Sequence, residues 1–255
     1  MALLKILLLG ASGYLGGIVA DRLSSGHELT LADRVAPQRQ DAGSFVELDI
    51  THLEQLRAAC AGQDAVINVV ALVRGRQERP LADFADVMVK GTWNVAEACV
   101  QEGVRRLVNV SSIVARGSVP STDRPSRESD APQFRQGDLF YCLSKHLGEQ
   151  IGLAYHQAYR LSVIHLRPGV IAGDGANPGP NPADAGPRPW FVYVDPRDVA
   201  QAVELSLSAD IAFGTYNIMA GRSDSLFDWS LAARELGYRP EHNWPEIPAT
   251  WSPAP

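Results

Sequence analysis

The sequence predicts an α/β fold built on a doubly wound parallel sheet, because strand-like apolar runs alternate with helical patterns through most of its 255 residues. The strand-like runs are almost continuously apolar, as expected for a sheet that helices cover on both faces. Parallel neighbours need right-handed crossovers, which the intervening helices supply. With 45% hydrophobic residues, the chain can bury one full core without dividing into independent domains.

Six strands and four helices are expected in the first two thirds of the chain. The strands are Leu4–Leu9, Glu28–Ala32, Phe45–Leu48, Ala65–Val69, Arg106–Val110 and Leu161–Leu166. The helices are Tyr14–Leu23, His52–Ala59, Phe84–Gln101 and Leu139–Tyr159. The opening apolar run is short and leads directly into a glycine-rich turn, so we interpret it as a buried strand and not as a signal peptide.

The composition changes after Arg167. The stretch from Pro168 to Pro196 is rich in Pro, Gly and Asn and cannot form a long helix or an inner strand. Regular structure is expected to resume at Asp198–Leu207, Thr215–Met219 and Leu226–Leu236. We therefore expect residues 1–167 to form a nucleotide-binding domain and residues 168–255 a small C-terminal substrate lobe, interleaved with the same sheet so that the chain is effectively one domain.

Charge and cysteine content exclude several kinds of partner. A net charge of -6 argues against nucleic acid or an anionic membrane, and no run is long enough to cross a bilayer. The cysteines, Cys60, Cys99 and Cys142, show neither metal-ligand spacing nor a framework of pairs. We expect a cytoplasmic protein that binds a small molecule, uses no metal and forms a homo-oligomer.

A glycine-rich turn joins the first predicted strand to the first helix. Glycines at positions 10, 13 and 16 leave room for a tight turn, a close pyrophosphate and close helix–strand packing. The helix N-terminus that follows would offer N–H groups and a positive dipole end to the phosphates. The pattern predicts a Rossmann-type dinucleotide site, with contacts from Gly10, Ser12, Gly13, Tyr14, Leu15 and Gly16.

The acidic end of the second strand indicates which dinucleotide is bound. Asp33 follows Leu29-Thr30-Leu31-Ala32, where a carboxylate can accept both adenosine-ribose hydroxyls and would repel a 2′-phosphate. Arg34 beside it could accommodate NADP, but Asp33 stands first, so we expect NAD. Four further cofactor contacts are expected at the ends of the third and fourth strands, from Asp49, Ile50, Val70 and Ala71.

Tyr141 and Lys145 are four residues apart in a helical pattern and therefore share one face of the helix. A phenol with a pKa of about 10 is a poor base at neutral pH, and a neighbouring ammonium lowers that pKa. Ser111 and Ser112 follow the fifth strand, where ligands bind in open parallel sheets. The pattern predicts an acid–base centre in which Ser112 donates to the reacting oxygen, Tyr141 exchanges its proton, and Lys145 also contacts the nicotinamide ribose.

These motifs together resemble the extended short-chain dehydrogenases/reductases, a family that includes nucleotide-sugar epimerases, dehydratases and dehydrogenases. The motifs are the glycine-rich turn, Asp33, Gly91-Thr92-Trp93-Asn94, Ser111-Ser112, Tyr141 with Lys145, and Arg167-Pro168-Gly169. The family's catalytic serine stands five residues before a glycine, and counting back from Gly117 selects Ser112. The resemblance also implies that Pro168 and Val170 face the nicotinamide. In one departure, Met88 stands where relatives often carry a relay asparagine.

Within that family the chain is most similar to the uronate dehydrogenases. The likeness lies in Glu78-Arg79-Pro80, in the segment Tyr141–Glu149 and in the ending around Trp229 and Leu236–Pro240. It implies oxidation of a hexuronic acid at its anomeric carbon to an aldarolactone, with hydride passing to NAD. The expected substrate contacts are Arg74, Ser111, Ser112, Ile113, Tyr141 and Arg188. Ile113 and Val114 replace a polar Asn-His pair and favour a different or more apolar substrate.

The sequence therefore predicts an NAD-dependent dehydrogenase acting on a sugar acid. One alternative is a nucleotide-sugar epimerase or dehydratase that recycles its NAD, although such relatives carry a larger C-terminal lobe. The other is a dinucleotide sensor without catalysis, which usually lacks the Tyr or the Lys. Both residues are present here.

Overall fold

The computed structural model describes residues 3–38, 41–73, 78–117, 124–134, 138–172, 192–222 and 225–242. Its strands are β1 (Lys5–Leu9), β2 (Glu28–Asp33), β3 (Ser44–Glu47), β4 (Ala65–Asn68), β5 (Arg106–Val110), β6 (Ser162–Pro168), β7 (Val170–Ile171), β8 (Tyr193–Val194) and β9 (Phe213–Ile218). Its α-helices are α1 (Tyr14–Leu23), α2 (Leu53–Cys60), α3 (Leu81–Asp83), α4 (Gly91–Gln101), α5 (Leu139–Tyr159), α6 (Pro196–Ser208) and α7 (Ser230–Glu235). A π-helical segment, Phe84–Lys90, joins α3 to α4, and a 3₁₀ turn covers Ile113–Arg116.

Seven strands form one sheet in the order β3-β2-β1-β4-β5-β6-β9, and every neighbouring pair is parallel. The chain builds outward from β1 to β3 and then crosses to the other side of β1 to begin β4. This reversal makes a crevice at the carboxyl ends of β1 and β4, where open parallel sheets bind ligands. The predicted doubly wound parallel sheet is confirmed.

Side-chain alternation divides the core into two layers, one on each face of the sheet. Along β1, Ile6 and Leu8 pack in the layer with α1, α6 and α7, whereas Leu7 and Leu9 pack in the layer with α2, α4 and α5. Successive residues of a strand point to opposite faces, so an apolar strand such as this one supplies both layers. The C-terminal part of the chain joins this core through α6 and through β9, which pairs with β6.

Most predicted elements differ from the observed ones by one or two residues at their ends, as is usual for such boundaries. The helix predicted at Phe84–Gln101 begins earlier and contains the π-helical segment, and the regular structure expected at Leu226–Leu236 contains the helix α7. The pair β7–β8 was not predicted, because two-residue strands leave no periodic signal. Among the described residues, no helix is long and apolar enough to span a bilayer.

Candidate active site

One cleft of about 1090 Å³ opens at the carboxyl ends of the central strands. Its walls include every cofactor contact predicted from the sequence: Gly10, Ser12, Gly13, Tyr14, Leu15, Gly16, Asp33, Arg34, Asp49, Ile50, Val70, Ala71, Lys145, Pro168 and Val170. Four of the predicted substrate contacts line the same cleft, namely Ser111, Ser112, Ile113 and Tyr141. The cleft therefore brings the glycine-rich turn and the Tyr/Lys pair together, and the individual roles stay predictions.

The glycine-rich turn has a shape that other residues would disrupt. Gly10 has a φ of 88°, and a Cβ added at Gly16 would lie 2.1 Å from the Gly10 carbonyl oxygen. The turn can therefore press against the start of α1, whose N-cap residue, Gly13, provides no side-chain cap. A helix N-terminus open in this way suits a pyrophosphate, so the residues present fit a bound dinucleotide.

The Asp33 carboxylate is held at the edge of the cleft by two backbone N–H groups. Ser12 N donates to its Oδ2 at 3.0 Å, and Arg34 N donates to its Oδ1 at 2.7 Å. Each carboxylate oxygen can accept a further hydrogen bond, such as one from a ribose hydroxyl. The geometry ties the turn that would hold the pyrophosphate to the residue expected to select NAD.

Asp49 is anchored in a similar way, because its Oδ1 accepts a hydrogen bond from Thr51 N at 2.9 Å. Burial of this carboxyl raises its pKa, but the hydrogen bonds from Thr51, together with the electrostatic effects of Arg34 and His52, outweigh burial and the net shift is downward. An ionised carboxylate at this position can accept hydrogen bonds from the exocyclic amine of adenine, the role predicted for it.

Helix α5 carries the Tyr/Lys pair on a buried face. Tyr141 and Lys145 are each 8% exposed, and Lys145 Nζ donates to the Val110 carbonyl oxygen at 2.9 Å, at the end of β5. Burial lowers the pKa of Lys145 to about 8, and the nearby Glu149 carboxylate opposes that shift. The ammonium therefore remains charged near neutral pH while it is held against the end of the sheet.

The two serines after β5 point in different directions. Ser112 is the N-cap of the 3₁₀ turn, and its Oγ accepts a hydrogen bond from Val114 N at 3.3 Å. Since that oxygen acts as acceptor, its own proton can be donated to a substrate oxygen. Ser111 Oγ instead donates to Glu149 Oε1 at 2.6 Å within the protein, so the substrate contact predicted for Ser111 would compete with this bond.

Apolar residues pack against Tyr141 and against Ile113, the residue after Ser112. Tyr141 packs in one cluster with Phe84 and Met88, so Met88 supplies an apolar contact where relatives carry a relay amide. Ile113 is buried in a second cluster with Met219 and Phe227. Ile113 also lines the cleft, and the expectation of a less polar substrate site stays a prediction.

Sequence reasoning missed two buried polar groupings beneath the cleft. In the first, Glu149 receives two hydrogen bonds from the Arg167 guanidinium, at 2.6 and 2.8 Å, besides the bond from Ser111. The spacing of Glu149, eight residues after Tyr141 and so on the same helix face, was the available signal.

The second grouping is a row of side chains at one level of β4, β5 and β6. Asn68 donates to Asn109 at 3.1 Å, and Asn109 Nδ2 lies 3.2 Å from His165 Nδ1. The three residues are paired in register across the sheet. Such a row arises only once strand neighbours and register are known, so the sequence carried no direct signal for it.

Two predicted substrate contacts, Arg74 and Arg188, lie outside the described residues. Within the described part of the chain, no group of three His, Cys, Asp or Glu side chains is arranged to hold a metal ion. None of the three cysteines, all of which lie in the described part of the chain, is joined in a disulfide bond.

Comparison with known proteins gives concordant matches. An NAD-dependent glucose-6-phosphate dehydrogenase of Haloferax volcanii is 28% identical, with 95% of each chain covered. A uronate dehydrogenase of Pseudomonas putida is 26% identical over 93% of this chain and 84% of its own length. The crystal structure of uronate dehydrogenase from Agrobacterium tumefaciens superposes with a TM-score of 0.80 at 20% identity, over 95% of this chain and 86% of the other.

The family match spans most of the sequence, from β1 through the Tyr/Lys helix and into the Pro-rich stretch, over residues 6–188. The predictions of an oxidoreductase class and of NAD as cofactor are confirmed at the level of this family. The chain belongs to the NAD-dependent epimerase/dehydratase family.

Proposed function

We propose that this protein is an NAD-dependent dehydrogenase that oxidises one hydroxyl of a small carbohydrate, with a hexuronate oxidised at its anomeric carbon to an aldarolactone as the first candidate. The observation that carries the proposal is the single continuous cleft shared by the glycine-rich turn and by Ser112, Tyr141 and Lys145. The relatives described above, which oxidise a sugar phosphate or a uronate by name, support the same class of substrate.

The chain's own groups account for the movement of the proton. Ser112 holds the substrate oxygen by donating its hydroxyl proton, and Tyr141 removes the proton from the substrate hydroxyl. Lys145 stabilises the phenolate by its charge, and the low exposure of both groups strengthens that interaction. Bound NAD would supply the hydride acceptor.

A sugar acid requires a cation for its carboxylate, and Arg188 and Arg74 are the proposed partners. Ile113 and Val114 line the cleft beside Ser112 and supply apolar contacts that suit the C–H face of a sugar ring. Homo-oligomeric assembly and a cytoplasmic location remain part of the proposal.

A substrate panel tests this function. Uronic acids, the matching neutral aldoses, hydroxy acids and nucleotide sugars are each incubated with NAD, and the absorbance of reduced cofactor is followed. Turnover of a hexuronate above its neutral aldose supports the proposal, and turnover of the aldose alone restricts it to neutral sugars. Interconversion of a nucleotide sugar without net reduction of NAD would instead establish an epimerase, and no turnover of any carbohydrate would refute the proposal.

A further inference from the structure

The carboxylate of Glu149 is buried directly beneath the proposed catalytic groups. Glu149 follows Lys145 by one turn of α5 and lies on the same face as Tyr141. Its side chain is buried, and it receives Arg167 Nη2 at 2.6 Å, Arg167 Nε at 2.8 Å and Ser111 Oγ at 2.6 Å. Three hydrogen bonds to a buried carboxylate are strong contacts, and the guanidinium approaches it in the bidentate geometry.

Ser111 transmits this anchoring to the neighbouring Ser112. Its backbone N–H donates to the Leu166 carbonyl oxygen of β6 at 2.7 Å, and its hydroxyl donates to Glu149. Ser111 is therefore held on two sides, by the sheet and by α5. Because successive side chains of extended backbone point to opposite sides, an inward Ser111 turns Ser112 towards the cleft.

Glu149 also offsets part of the positive charge that Lys145 and Arg167 bury beneath the cleft. Lys145 and Arg167 are both buried cations, and Glu149 is the carboxylate that pairs with Arg167 and acts on Lys145. The ionisable groups around Glu149 are Tyr141 and Lys145 on its own helix, Arg167 and His165 on β6, and, beyond Arg167, Glu128 and Arg116. His165 is neutral at working pH, because burial lowers its pKa to about 4. Lys145, Arg167 and Glu149 therefore sum to a single positive charge next to Tyr141.

We propose that Glu149 is a positioning residue for the reaction at Tyr141: it fixes the serine loop through Ser111, and it limits the buried positive charge and so sets the pH range in which Tyr141 and Lys145 act. This inference rests on the proposed dehydrogenase function. Removing a negative charge favours the deprotonated form of every neighbouring group, whereas removing a positive charge has the opposite effect. The two limbs of the pH profile should therefore move together.

The test is a charge series measured as kcat/KM against pH at saturating NAD, with the substrate found in the panel. Glu149→Gln raises the net charge of the Lys145, Arg167 and Glu149 group by one and should move the whole profile to lower pH by roughly one unit. Arg167→Gln lowers the charge by one and should move the profile to higher pH. The double variant Glu149→Gln/Arg167→Gln restores the single positive charge and should return the profile close to that of the wild type.

Glu204→Gln is the matched control, since Glu204 also pairs with an arginine, Arg22, but does so between α1 and α6. It should leave the profile unmoved. If the two single variants and the double variant only lower kcat/KM, and the single variants do not shift the pH profile in opposite directions, Glu149 has a structural role alone. The charge-balancing part of the proposal is then overturned.

Ser111→Ala tests the anchoring role separately, because it leaves every charge in place and removes only the bond to Glu149. It should lower kcat several-fold, with the KM for NAD and the position of the pH profile unchanged. An unchanged kcat overturns this part of the proposal, and the result does not depend on the stability of variants that leave a buried charge unpaired.

A titration without substrate separates this inference from the proposed function. The phenolate absorbance of each NAD-bound variant is followed against pH and compared with the same variant carrying Tyr141→Phe, so that the difference reports Tyr141. The Tyr141 titration should move to lower pH in Glu149→Gln and to higher pH in Arg167→Gln even if no carbohydrate is oxidised. Failure of the panel would then refute the substrate class, whereas unmoved titrations would refute the role of Glu149.

Discussion

At the scale of single residues, the candidate site depends on keeping a buried ammonium charged. Burial lowers the pKa of Lys145 to about 8, and its Nζ donates a hydrogen bond to the Val110 carbonyl oxygen. The charge persists near neutral pH, where it can stabilise the phenolate of Tyr141 on the preceding turn of the helix. Tyr141 is expected to act through its hydroxyl, and Lys145 through both its charge and its position beside the cofactor. Substitution of the two residues should therefore have different effects.

Tyr141→Phe should remove most turnover and leave NAD affinity nearly unchanged. The lost hydroxyl carries the proton, a contribution of typically ~10²–10⁴-fold, but it is expected to make only a minor contact with the dinucleotide. Lys145→Ala should lower both kcat and NAD affinity, because the ammonium is expected to contact the nicotinamide ribose as well. Steady-state kinetics and NAD titration check both variants, and an active Tyr141→Phe protein would mean that another group is the base.

Asp33 should determine the choice of dinucleotide. Its fixed carboxylate can accept ribose hydroxyls and repels a 2′-phosphate, so the wild type should prefer NAD. Asp33→Ala should reduce kcat/KM with NAD and should weaken the preference for NAD over NADP, because Arg34 then remains beside the ribose without an opposing charge. The measurement is kcat/KM with NAD and with NADP for both proteins. A wild-type preference for NADP would contradict the assignment.

At the scale of secondary-structure elements, α5 presents two glycines to its surroundings, and they meet different neighbours. A Cβ at Gly152 would lie 2.4 Å from His165 Nε2 and 3.0 Å from Val163 Cγ1. At Gly148 the nearest atom would be Thr92 Cγ2, at 3.5 Å, an ordinary contact. Close approach of α5 to β6 thus depends on Gly152, and this approach brings the Tyr/Lys face to the end of the sheet.

Gly152→Ala should destabilise the protein by about 1–3 kcal/mol, the usual range for overpacking a close-packed core. It should also lower kcat, because α5 must move away from the sheet together with Tyr141 and Lys145. Gly148→Ala is the matched control and should leave stability unchanged or raise it, since alanine is the better helix former. Denaturant unfolding and kinetics of both variants check this, and equal effects would show that the contact with β6 is not limiting.

Prediction from sequence succeeded for elements that carry their own periodic signal and failed where long-range contacts decide. The strands were recognisable because each is an almost continuous apolar run, and the glycine-rich turn because no other residue fits it. The π-helical segment was not, since Phe84 and Met88 face Tyr141 only through tertiary packing. Glu149 and Arg167 likewise meet because α5 packs against β6.

At the scale of the whole molecule, a row of polar side chains crosses three central strands on the face of the sheet that α4 and α5 cover. A backbone N–H can only donate, so the bond from Val70 N to Asn68 Oδ1 at 3.2 Å sets the direction of the row. Asn68 then donates to Asn109, and Asn109 to His165 Nδ1, which leaves the ring proton on Nε2. That nitrogen has no hydrogen-bond partner within the described part of the chain.

The free energy of unfolding should therefore decrease as the pH is lowered, before the carboxylates become protonated. The folded protein holds His165 neutral with a pKa of about 4, whereas the unfolded chain protonates this ring below about 6.5. The full stability of the folded state is therefore reached above about pH 6.5. As the pH falls from about 6.5 to about 4, protonation of His165 in the unfolded chain lowers the free energy of unfolding by about 3 kcal/mol in total. Tm measured across this window should fall less steeply for His165→Gln than for the wild type. Parallel curves for the two proteins would show that another group governs the acid limb.

The in-register row also constrains how this family member can diverge. Asn68, Asn109 and His165 stand on three different strands, yet each satisfies the hydrogen-bonding atoms of the next. Replacing one of them with an apolar residue leaves a buried polar atom of its neighbour without a hydrogen bond. That costs more stability than replacing both partners together. The three positions should accordingly be inherited as a unit, retained jointly or exchanged jointly among homologues, although long stretches of chain separate them.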